Sequence, residues 1–411
     1  MSTLEAAYEL YLTILTTGWI LNTLAFVVLL GSIMAVIEKS GGVGGFVDFA
    51  LHKKPFVKSK RSALLLSYII GVVVFIETSI TALVSGAVGK PFCDKYKIPY
   101  AKLAYVCDST AAPIGSLIVI NGYGALLLGL ISTQIDNGVL TGNALDILLD
   151  SIVFNFYAIS ALIVTFLVIW FSIDIGPMKY AKYSKGHSIK NNKINSMYLM
   201  LLPIFIMLIF IFVFLYITGD GNILNGSGSN SILYTVLTTL FFTLFYYVAT
   251  KNMTPSVWLK ISLHGAKRFF AIAMILIFAF SIGNVTVELK TGEYLASLAN
   301  ENLNVIFLAG TIFLLGSIIS FSTGTSWGTF SIMIPIAIPM AVGMDANIAL
   351  CIGAVISGGI FGDHCSPISD TTIISSMAAD CDVVEHVKTQ LPYALVSGAI
   401  AFSLFIGLSI I

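Results

Sequence analysis

Long apolar runs dominate this sequence and restrict it to folds that are built inside a membrane. A helix needs about 20 consecutive apolar residues to cross the hydrocarbon core of a bilayer. The clearest runs of that length lie near 14–37, 147–173, 197–217, 231–250, 269–289 and 391–411. Charged residues make up 10% of the 411 residues, whereas a soluble domain contains about 25%. We therefore expect an all-α polytopic membrane protein that forms one unit over residues 1–411.

The composition also argues against several classes of partner and cofactor. The net charge is zero, and basic residues are not interleaved with aromatic ones, so we expect no nucleic-acid partner. The five cysteines are an odd number without C-x-x-C spacing, which argues against a disulfide framework or a zinc site. We expect no cofactor. The lipid bilayer is the partner that the hydropathy predicts, and a homodimer is compatible with the sequence.

Three apolar regions carry a polar or Gly/Pro break in the middle, at 62–88, 103–131 and 304–378. Residues 62–88 are long enough to cross once, but a crossing would put the lysines that flank them on opposite faces of the membrane. A re-entrant hairpin with its tip at 77–79 keeps both basic flanks on one face, because each arm reaches mid-membrane and returns. We expect residues 304–343 to form a second hairpin, with its tip in "FSTGTSWG", that enters from the opposite face.

With these two hairpins, the basic residues fall almost entirely on one side of the membrane. The N-terminus is then outside, and 20 of the 21 Lys and Arg residues lie in cytoplasmic loops, Lys290 being the exception. The cytoplasmic loops are 38–61, 89–102, 174–196, 251–268 and 379–390. The outside loops are 132–146, 218–230 and 290–303. This distribution is typical of an integral protein of the prokaryotic cytoplasmic membrane.

Each predicted hairpin is followed by an apolar segment that contains an Asp-to-Pro motif. In the first half "ETS" leads to "CDSTAAP" at 107–113, and in the second half "GTS" leads to "GDHCSP" at 362–367. The order and the chemistry match while the two halves enter from opposite faces, as in the inverted-topology repeats of secondary transporters. We expect repeats at about 14–173 and 231–411, with broken helices at 103–131 and 346–378.

Four acids are assigned to membrane depth, in segments without Lys or Arg: Glu77, Asp108, Asp363 and Asp370. A charge at the bilayer centre costs at least ~2.5–3.5 kcal/mol on insertion scales, so these acids need partners. Na⁺ and H⁺ are the remaining counter-ions. Burial raises the pKa of a carboxylate and a bound cation lowers it. One carboxylate site can therefore exchange a proton for a sodium ion, and we expect transported Na⁺ at Asp108, Asp363 and Asp370.

Each of these residues also has a structural interpretation. The pattern S-D-T-T at 369–372 is typical of an N-cap that opens a helix, and hydroxyls at a hairpin tip can simply satisfy the backbone. Pro113 and Pro367 are expected to break helices, and His364 is a ligand, a proton carrier or a packed polar residue. The candidate ion- or substrate-binding residues are Glu77, Thr78, Ser79, Asp108, Ser109, Thr110, Thr325, Ser326, Asp363, His364, Ser366, Ser369, Asp370 and Thr371.

Several motifs, in order over nearly the whole chain, carry a family resemblance. They are "IEKSGGVGGF" (37–46), "FIETSITALVSGAVGKPFCDKY" (75–96), "KLAYVCDSTAAP" (102–113), "FSTGTSWGTF" (321–330), "GDHCSPISDTTIISS" (362–376) and "HVKTQLPYAL" (386–395). Together they closely resemble the NhaC family of Na⁺/H⁺ antiporters. The motif at 362–376 is quite specific by itself.

The resemblance implies a fold and a set of functional residues. The wider ion-transporter superfamily has two opposed hairpins and broken helices. The matching positions Glu77, Asp108, Asp363 and Asp370, with their hydroxyl neighbours, are then implied to form the ion path. Family members generally carry further hydrophobic segments ahead of the one that matches 14–37. The family also includes exchangers that couple Na⁺ and H⁺ to organic anions such as malate and lactate.

We therefore expect a Na⁺/H⁺ antiporter and no enzymatic activity. The alternative is a Na⁺- or H⁺-coupled transporter of an organic anion or an amino acid, because half-helix N-termini bind carboxylates without a basic side chain. An intramembrane aspartyl protease fits less well, because residues 360–363 lack the first glycine of a G-x-G-D motif. An ion channel also fits less well, because two-sided hairpins suit alternating access better than an open pore.

Overall fold

The structure is a computed structural model, and it confirms the all-α class. It describes residues 18–49, 57–75, 78–119, 121–183, 195–221, 226–289, 294 and 304–410. These residues form α-helices joined by short turns and two 3₁₀ segments, and no β-strand occurs among them. Within this part of the chain, nine helical stretches are long and apolar enough to cross a membrane.

The helices follow the order that the hydropathy predicts. The first eight are α1 (Gly18–Ser40), α2 (Gly42–Asp48), α3 (Lys60–Val73), α4 (Thr78–Tyr96), α5 (Tyr100–Leu117), α6 (Gly122–Asp136), α7 (Ala144–Ile152) and α8 (Phe156–Phe171). The remaining eight are α9 (Tyr198–Thr218), α10 (Gly228–Ala249), α11 (Pro255–Glu288), α12 (Leu308–Thr323), α13 (Ser326–Gly343), α14 (Ile348–Cys365), α15 (Asp370–Ala379) and α16 (Val383–Leu408). The 3₁₀ segments are Gly176–Tyr180 and Val305–Phe307.

The helices group into two compact units. The first contains described residues of 18–49, 124–146 and 195–289, and the second contains those of 57–123, 147–183 and 304–410. Both predicted hairpins and both Asp-to-Pro motifs lie in the second unit. The prediction of one unit with repeats at about 14–173 and 231–411 stays a prediction.

Small residues bring the helices of the first unit close together. At the crossing of α1 and α11, a methyl group on Gly31 would lie 2.6 Å from the carbonyl oxygen of Gly265. Beside this crossing the Ser32 hydroxyl donates to the carbonyl of Ser262 over 2.9 Å. Membrane helices commonly associate through such small residues, because close backbone approach replaces the hydrophobic driving force that water would supply.

The first hairpin consists of α3 and α4. The Ser85 hydroxyl on α4 donates to the carbonyl of Ser67 on α3 over 2.8 Å, which sets the two helices side by side and antiparallel. Ser59 opens α3 with a capping box, in which Ser62 returns the hydrogen bond. At 14 residues, α3 is about 21 Å long, which is shorter than the hydrocarbon core of about 30 Å. Such an arm suits a re-entrant segment.

The second hairpin consists of α12 and α13, which turn at Gly324. This residue has a φ of 66°, in the left-handed region that favours glycine. Thr325 follows as the N-cap of α13, and its hydroxyl accepts from the Gly328 N–H over 3.4 Å. A methyl group on Gly324 would also lie 2.8 Å from the Ile368 carbonyl oxygen. The tip of this hairpin therefore packs against the polar segment that follows α14.

The break in the second repeat lies where the sequence predicts it. Helix α14 ends at Cys365, Pro367 lies in the connection, and α15 begins at Asp370. Ser369 is the N-cap of α15, and its hydroxyl accepts from the Thr372 N–H. The predicted cap is therefore confirmed.

The helix predicted to be broken at 103–131 is broken, but not at the Asp-to-Pro motif where Pro113 was expected to break it. Helix α5 runs through Asp108 and Pro113 to Leu117, and the chain breaks afterwards at 118–121. A proline removes one backbone hydrogen bond and kinks a helix, but a membrane helix tolerates this where neighbours satisfy the freed group. Asp108 therefore lies within a continuous helix, and the break needs extended backbone, which begins at Ile118.

Each break is tied to the hairpin of its own half. Asn121 donates to the Phe75 carbonyl over 3.3 Å and to the Gly115 carbonyl over 2.6 Å. In the second half, the Ser366 hydroxyl donates to the Phe321 carbonyl over 2.8 Å. In both cases a polar side chain in the break satisfies a carbonyl just before the hairpin tip. The order of hairpin and broken helix therefore occurs twice with similar local chemistry.

Several predicted loops are shorter than expected. Helix α11 begins at Pro255 and α16 at Val383, so most of 251–268 and 379–390 is helical. Proline is favoured in the first turn of a helix, where its missing N–H has no partner to lose. The predicted loop 89–102 is helical except around 97–99.

The predicted span 147–173 is also interrupted, between α7 and α8. The Asn155 side chain caps α8 by accepting from the Ala158 N–H over 3.4 Å. An asparagine at this position competes with the helical hydrogen bonds of the preceding residues, so one apolar run becomes two helices.

Two ion pairs join segments that the lysine pattern assigns to the same side of the membrane. Lys90 Nζ lies 2.8 Å from an Asp380 carboxylate oxygen, and Lys102 Nζ lies 2.5 Å from one of Asp174. Residues 89–102, 174 and 380 therefore lie at the same end of the second unit. This agrees with a common cytoplasmic face for these three segments.

Candidate functional site

The Asp108 carboxylate is fully buried on α5 and is surrounded by hydrogen-bond donors. Its Oδ1 accepts from the Ser375 hydroxyl over 3.2 Å. Its Oδ2 accepts from the Thr372 hydroxyl over 3.2 Å and from Gln390 Nε2 over 2.7 Å. His386 Nε2 also lies 3.3 Å from Oδ2. Four side chains thus converge on this carboxylate, an arrangement that suits an ionised group.

Two helices supply these donors. Thr372 and Ser375 are three residues apart on α15, and His386 and Gln390 are four residues apart on α16. Residues at these spacings lie on one face of a helix, one turn from each other. Each helix therefore presents two polar side chains to a single carboxylate on α5.

The Asp363 carboxylate is equally buried, in the last turn of α14, but it has fewer partners. Its Oδ2 accepts from the Thr371 hydroxyl over 3.1 Å, and this hydroxyl also lies 3.0 Å from the Ser369 hydroxyl. Its Oδ1 is buried and has no hydrogen-bond partner among the described residues. A buried carboxylate oxygen without a donor is costly unless an ion, a proton or water occupies the position beside it.

Asp370 differs from the two buried acids. It is the first residue of α15 and is exposed, and its Oδ1 accepts from the Thr371 N–H over 2.9 Å. An acid in the first turn also interacts favourably with the helix dipole. The structure therefore gives Asp370 a role at the start of a helix, whereas Asp108 and Asp363 form the buried centre.

His364 connects the end of α14 to two other helices. Its Nδ1 lies 3.0 Å from the Tyr157 hydroxyl on α8, and its carbonyl accepts from Gln390 Nε2 over 2.9 Å. Its Nε2 is buried without a hydrogen-bond partner among the described residues, as is Nδ1 of His386. His364 is thus next to the site and keeps one ring nitrogen available.

Other predicted hydroxyls bond to nearby backbone or to a different side chain. The Thr110 hydroxyl donates to the Val106 carbonyl of its own helix over 2.7 Å. Ser326 is buried, and its hydroxyl lies 2.8 Å from that of Tyr123. Thr325 and Ser366 serve the cap and the break described above, and Ser109 is buried on α5. These residues support the elements around the site.

Of the predicted residues at the first hairpin tip, Thr78 is the one whose side chain the structure describes. Glu77 lies outside the described residues, and so does the side chain of Ser79. Thr78 begins α4, and a methyl group on Gly115 would lie 3.2 Å from its Cγ2 atom. This hairpin tip therefore lies against the end of α5, close to the first break.

The sequence analysis missed the donors on α15 and α16 that hold Asp108. His386 and Gln390 belong to the motif "HVKTQLPYAL", and their spacing of four places two polar side chains on one face of an otherwise apolar helix. That spacing was the available signal. Thr372 and Ser375 lie within the motif at 362–376, but nothing in the sequence singles them out among its other hydroxyls.

No lysine or arginine of the described chain balances the charge of the two buried acids. Neither Asp108 nor Asp363 forms an ion pair with a lysine or an arginine of the described chain. The lysines on α4 and α5 that carry ion pairs, Lys90 and Lys102, are bonded to Asp380 and Asp174 instead. Two carboxylates buried in apolar helices with no lysine or arginine beside them favour a mobile cation.

The helical fold and the buried carboxylate pair define a polytopic membrane transporter. The sequence model of one family, described as the Na⁺/H⁺ antiporter family, matches residues 117–410. The chain belongs to this family, and the resemblance inferred from the motifs is confirmed. It is therefore a membrane antiporter by family, and the family is one of transporters rather than of enzymes.

One relative and one solved structure align with nearly the whole chain. A protein of Haemophilus influenzae named as uncharacterized is 33% identical to this chain over 395 residues. The match covers 91% of this chain and 76% of that protein. The malate-2H⁺/Na⁺-lactate antiporter of Bacillus subtilis is 38% identical over 100 residues, or 24% of this chain and 21% of that protein. The YdaH transporter of Alcanivorax borkumensis, reported to have an unusual topology, aligns with a TM-score of 0.52 at 14% identity. The alignment covers 96% of this chain and 88% of that one, and it shows the fold alone.

Proposed function

We propose that this protein exchanges Na⁺ for H⁺ across the membrane, and that Asp363 is the carboxylate that binds the two ions in turn. The observation that carries the proposal is the contrast between the two buried acids. Both oxygens of Asp108 accept hydrogen bonds, whereas Oδ1 of Asp363 has no partner among the described residues. Membership of the Na⁺/H⁺ antiporter family supports the same conclusion.

Competition for one oxygen is enough to couple the two ions. A proton on Asp363 neutralises the carboxylate, and Na⁺ neutralises it in the same place by coordination, so the two states exclude each other. An empty site would leave an uncompensated charge in apolar surroundings, which is costly. The site therefore favours movement when loaded with either ion, which is the requirement of an exchanger.

Reconstitution into vesicles without organic solutes tests the exchange directly. An outward Na⁺ gradient should acidify the lumen, because protons enter as Na⁺ leaves, and a pH-sensitive dye reads this change. The control is the same vesicle with K⁺ in place of Na⁺. Failure of Na⁺ to move protons in vesicles that contain correctly folded protein would rule the proposal out.

A second candidate is a transporter that couples Na⁺ or H⁺ to an organic anion. The Bacillus subtilis relative supports it, because that protein is named as an antiporter of malate with H⁺ and lactate with Na⁺. Adding malate or lactate to the vesicle assay separates the candidates, because strict dependence on such a solute would favour the second one.

We place the protein in the prokaryotic cytoplasmic membrane, with the N-terminus outside. The lysine distribution supports this orientation, since 20 of the 21 basic residues fall in the loops assigned to the cytoplasm. The Lys90–Asp380 and Lys102–Asp174 ion pairs are consistent with it, because they join three of those segments.

A further inference from the structure

We propose that Gln390 is a ligand of the transported cation, through its side-chain carbonyl oxygen. This inference rests on the proposed function in naming Na⁺ as the ion. It goes further in assigning a ligand on α16, a helix in which the sequence analysis found no site residue. The geometry of the amide group carries the argument.

The orientation of the Gln390 amide is fixed by its two partners. Nε2 lies 2.7 Å from Asp108 Oδ2 and 2.9 Å from the His364 carbonyl oxygen. A backbone carbonyl only accepts hydrogen bonds, so the atom that faces it is the NH₂ group. Both amide protons are then used, and the carbonyl oxygen Oε1 points away from these partners.

That oxygen is left without a partner. Gln390 is 0% exposed, and its Oε1 has no hydrogen-bond partner among the described residues. A buried amide oxygen that is not bonded costs about 1–3 kcal/mol, so native proteins seldom leave one empty. Asp363 Oδ1 is a second buried oxygen without a partner, and it belongs to the residue before His364. Two unsatisfied oxygens therefore lie close to one stretch of backbone.

The chemistry of these oxygens fits an alkali cation. Hard cations take oxygen ligands, and carbonyl and amide oxygens serve as well as carboxylates. No group of three or more His, Cys, Asp or Glu side chains in the described chain is arranged to hold a metal ion. A cation bound beside Asp363 must therefore take further ligands from neutral oxygens. Elsewhere the described chain has unpartnered neutral oxygens on Ser67, Gln134, Asn252 and Ser262, but Gln390 is the one bonded to both broken helices.

The role also explains why a glutamine suits this position. Its NH₂ group ties Asp108 on α5 to the end of α14, while its oxygen remains available at the same point. An asparagine would reach less far, and a glutamate would lose the donors. Gln390 thus links the saturated carboxylate to the ion that the other carboxylate binds.

A measurement of Na⁺ binding, made separately from transport, tests whether Gln390 is a ligand. Purified wild type and Gln390→Met are compared for ²²Na⁺ binding in detergent, and methionine preserves the side-chain volume while removing the oxygen. We expect the Na⁺ concentration for half-saturation to rise at least about tenfold, as for loss of one interaction with a charged group. The matched control is Gln134→Met, which removes the chain's other glutamine, also buried and unpartnered, and should leave Na⁺ binding unchanged.

A purely structural role for Gln390 is separated by one further variant. Thr372→Val also removes a donor from Asp108 but no unpartnered oxygen. A change in the Na⁺ to Li⁺ preference in Gln390→Met that Thr372→Val does not show is therefore expected from loss of the Gln390 oxygen. Normal Na⁺ affinity and selectivity in Gln390→Met would overturn the inference, as would the same change of selectivity in Thr372→Val.

The outcomes also separate this inference from the proposed function. Wild-type protein that binds ²²Na⁺ but moves no protons contradicts Na⁺/H⁺ exchange, while Gln390→Met still decides the ligand. Wild-type protein that binds no Na⁺ at all overturns both. Gel filtration of each variant shows whether it folds.

Discussion

At the scale of single residues, the two buried acids differ in how many donors they have. Asp108 accepts from Thr372, Ser375 and Gln390 and faces His386, whereas Asp363 accepts from Thr371 on one oxygen. Amino-acid type is the same and burial is the same, so the difference is made by neighbours from other helices. This is why the sequence alone could identify both acids but could not assign them different tasks.

The first prediction concerns these two carboxylates. Asp363→Asn and Asp108→Asn should each reduce Na⁺-driven proton movement to the background of empty vesicles. An amide at 363 can neither gain a proton nor neutralise Na⁺, and an amide at 108 would oppose the donors that converge there. Initial rates of dye response measure the effect.

Asp345→Asn is the matched control for these variants. Asp345 is exposed in the turn after α13 at a φ of 52°, a conformation that asparagine also adopts readily. Its exchange rate should stay close to that of the wild type. Full activity in either buried variant would remove that residue from the mechanism.

The sequence predicts the buried acids and their hydroxyl neighbours but not the amide that lies beside them. Asp363, Thr371 and Ser369 lie together, and the Thr372 hydroxyl lies within hydrogen-bond distance of both Asp108 Oδ2 and the Asp363 carbonyl. Polarity at membrane depth is expensive, so it can be found from sequence wherever it is concentrated. Gln390 was missed because its one signal is the spacing of four residues from His386, and its role depends on which carboxylate folds against it.

At the scale of elements, the second break was predictable and the first was not. Pro367 and the cap sequence at 369–372 lie within six residues, so local chemistry decides where α14 ends and α15 begins. Pro113 stands alone in α5, and packing against neighbouring helices keeps the helix continuous. A break that depends on tertiary partners such as Asn121 cannot be located from the local sequence.

The second prediction belongs to the hairpin tip. Gly324→Ala should destabilise the protein by about 1–2 kcal/mol from the left-handed backbone alone, and more because the new methyl group would lie 2.8 Å from the Ile368 carbonyl. A lower melting temperature in detergent and slower exchange should result, since the tip packs on the break that separates Asp363 from Asp370.

Gly407→Ala provides the comparison for this hairpin variant. Gly407 lies inside α16, where an added methyl group would meet nothing within 4 Å. Alanine is the better helix former by about 1 kcal/mol, so the melting temperature should stay the same or rise. Equal stability of Gly324→Ala and wild type would mean that the turn does not constrain the tip.

At the scale of the whole molecule, the apolar runs decide the class and the lysines predict the orientation. These signals are strong because each reflects a property of the membrane. The length of the runs reflects the thickness of the bilayer, and the lysine placement reflects the charge bias across it. The helix ends were less predictable. Amphipathic ends such as the start of α11 extend past the apolar run, so the predicted loop 251–268 proved largely helical.

The third prediction concerns the threading of the chain. Lys97→Cys should react with a membrane-impermeant thiol reagent from the cytoplasmic side, because residue 97 is exposed in the turn between α4 and α5. The background should carry Cys381→Ser, since Cys93, Cys107, Cys351 and Cys365 are buried and Cys381 is half-buried. Labelling from outside alone would mean that residues 62–88 cross the membrane once.

Asn137→Cys is the counterpart for the opposite face. Asn137 is exposed after α6, in the predicted outside loop 132–146. It should react from outside, and it shows that the reagent reaches its target in intact cells. Reaction of both positions from the same side would contradict the two-hairpin threading.

The ten-residue helix α15 has a thermodynamic consequence for this molecule. Thr371 serves Asp363, while Thr372 and Ser375 serve Asp108, and the helix is anchored at its far end where Asp380 pairs with Lys90. Any shift of α15 that follows loading of one acid must also alter the hydrogen bonds of the other. Linkage makes this effect reciprocal and equal in free energy. Loading of one acid with an ion or a proton can therefore change the affinity of the other acid, even when no ion contacts both.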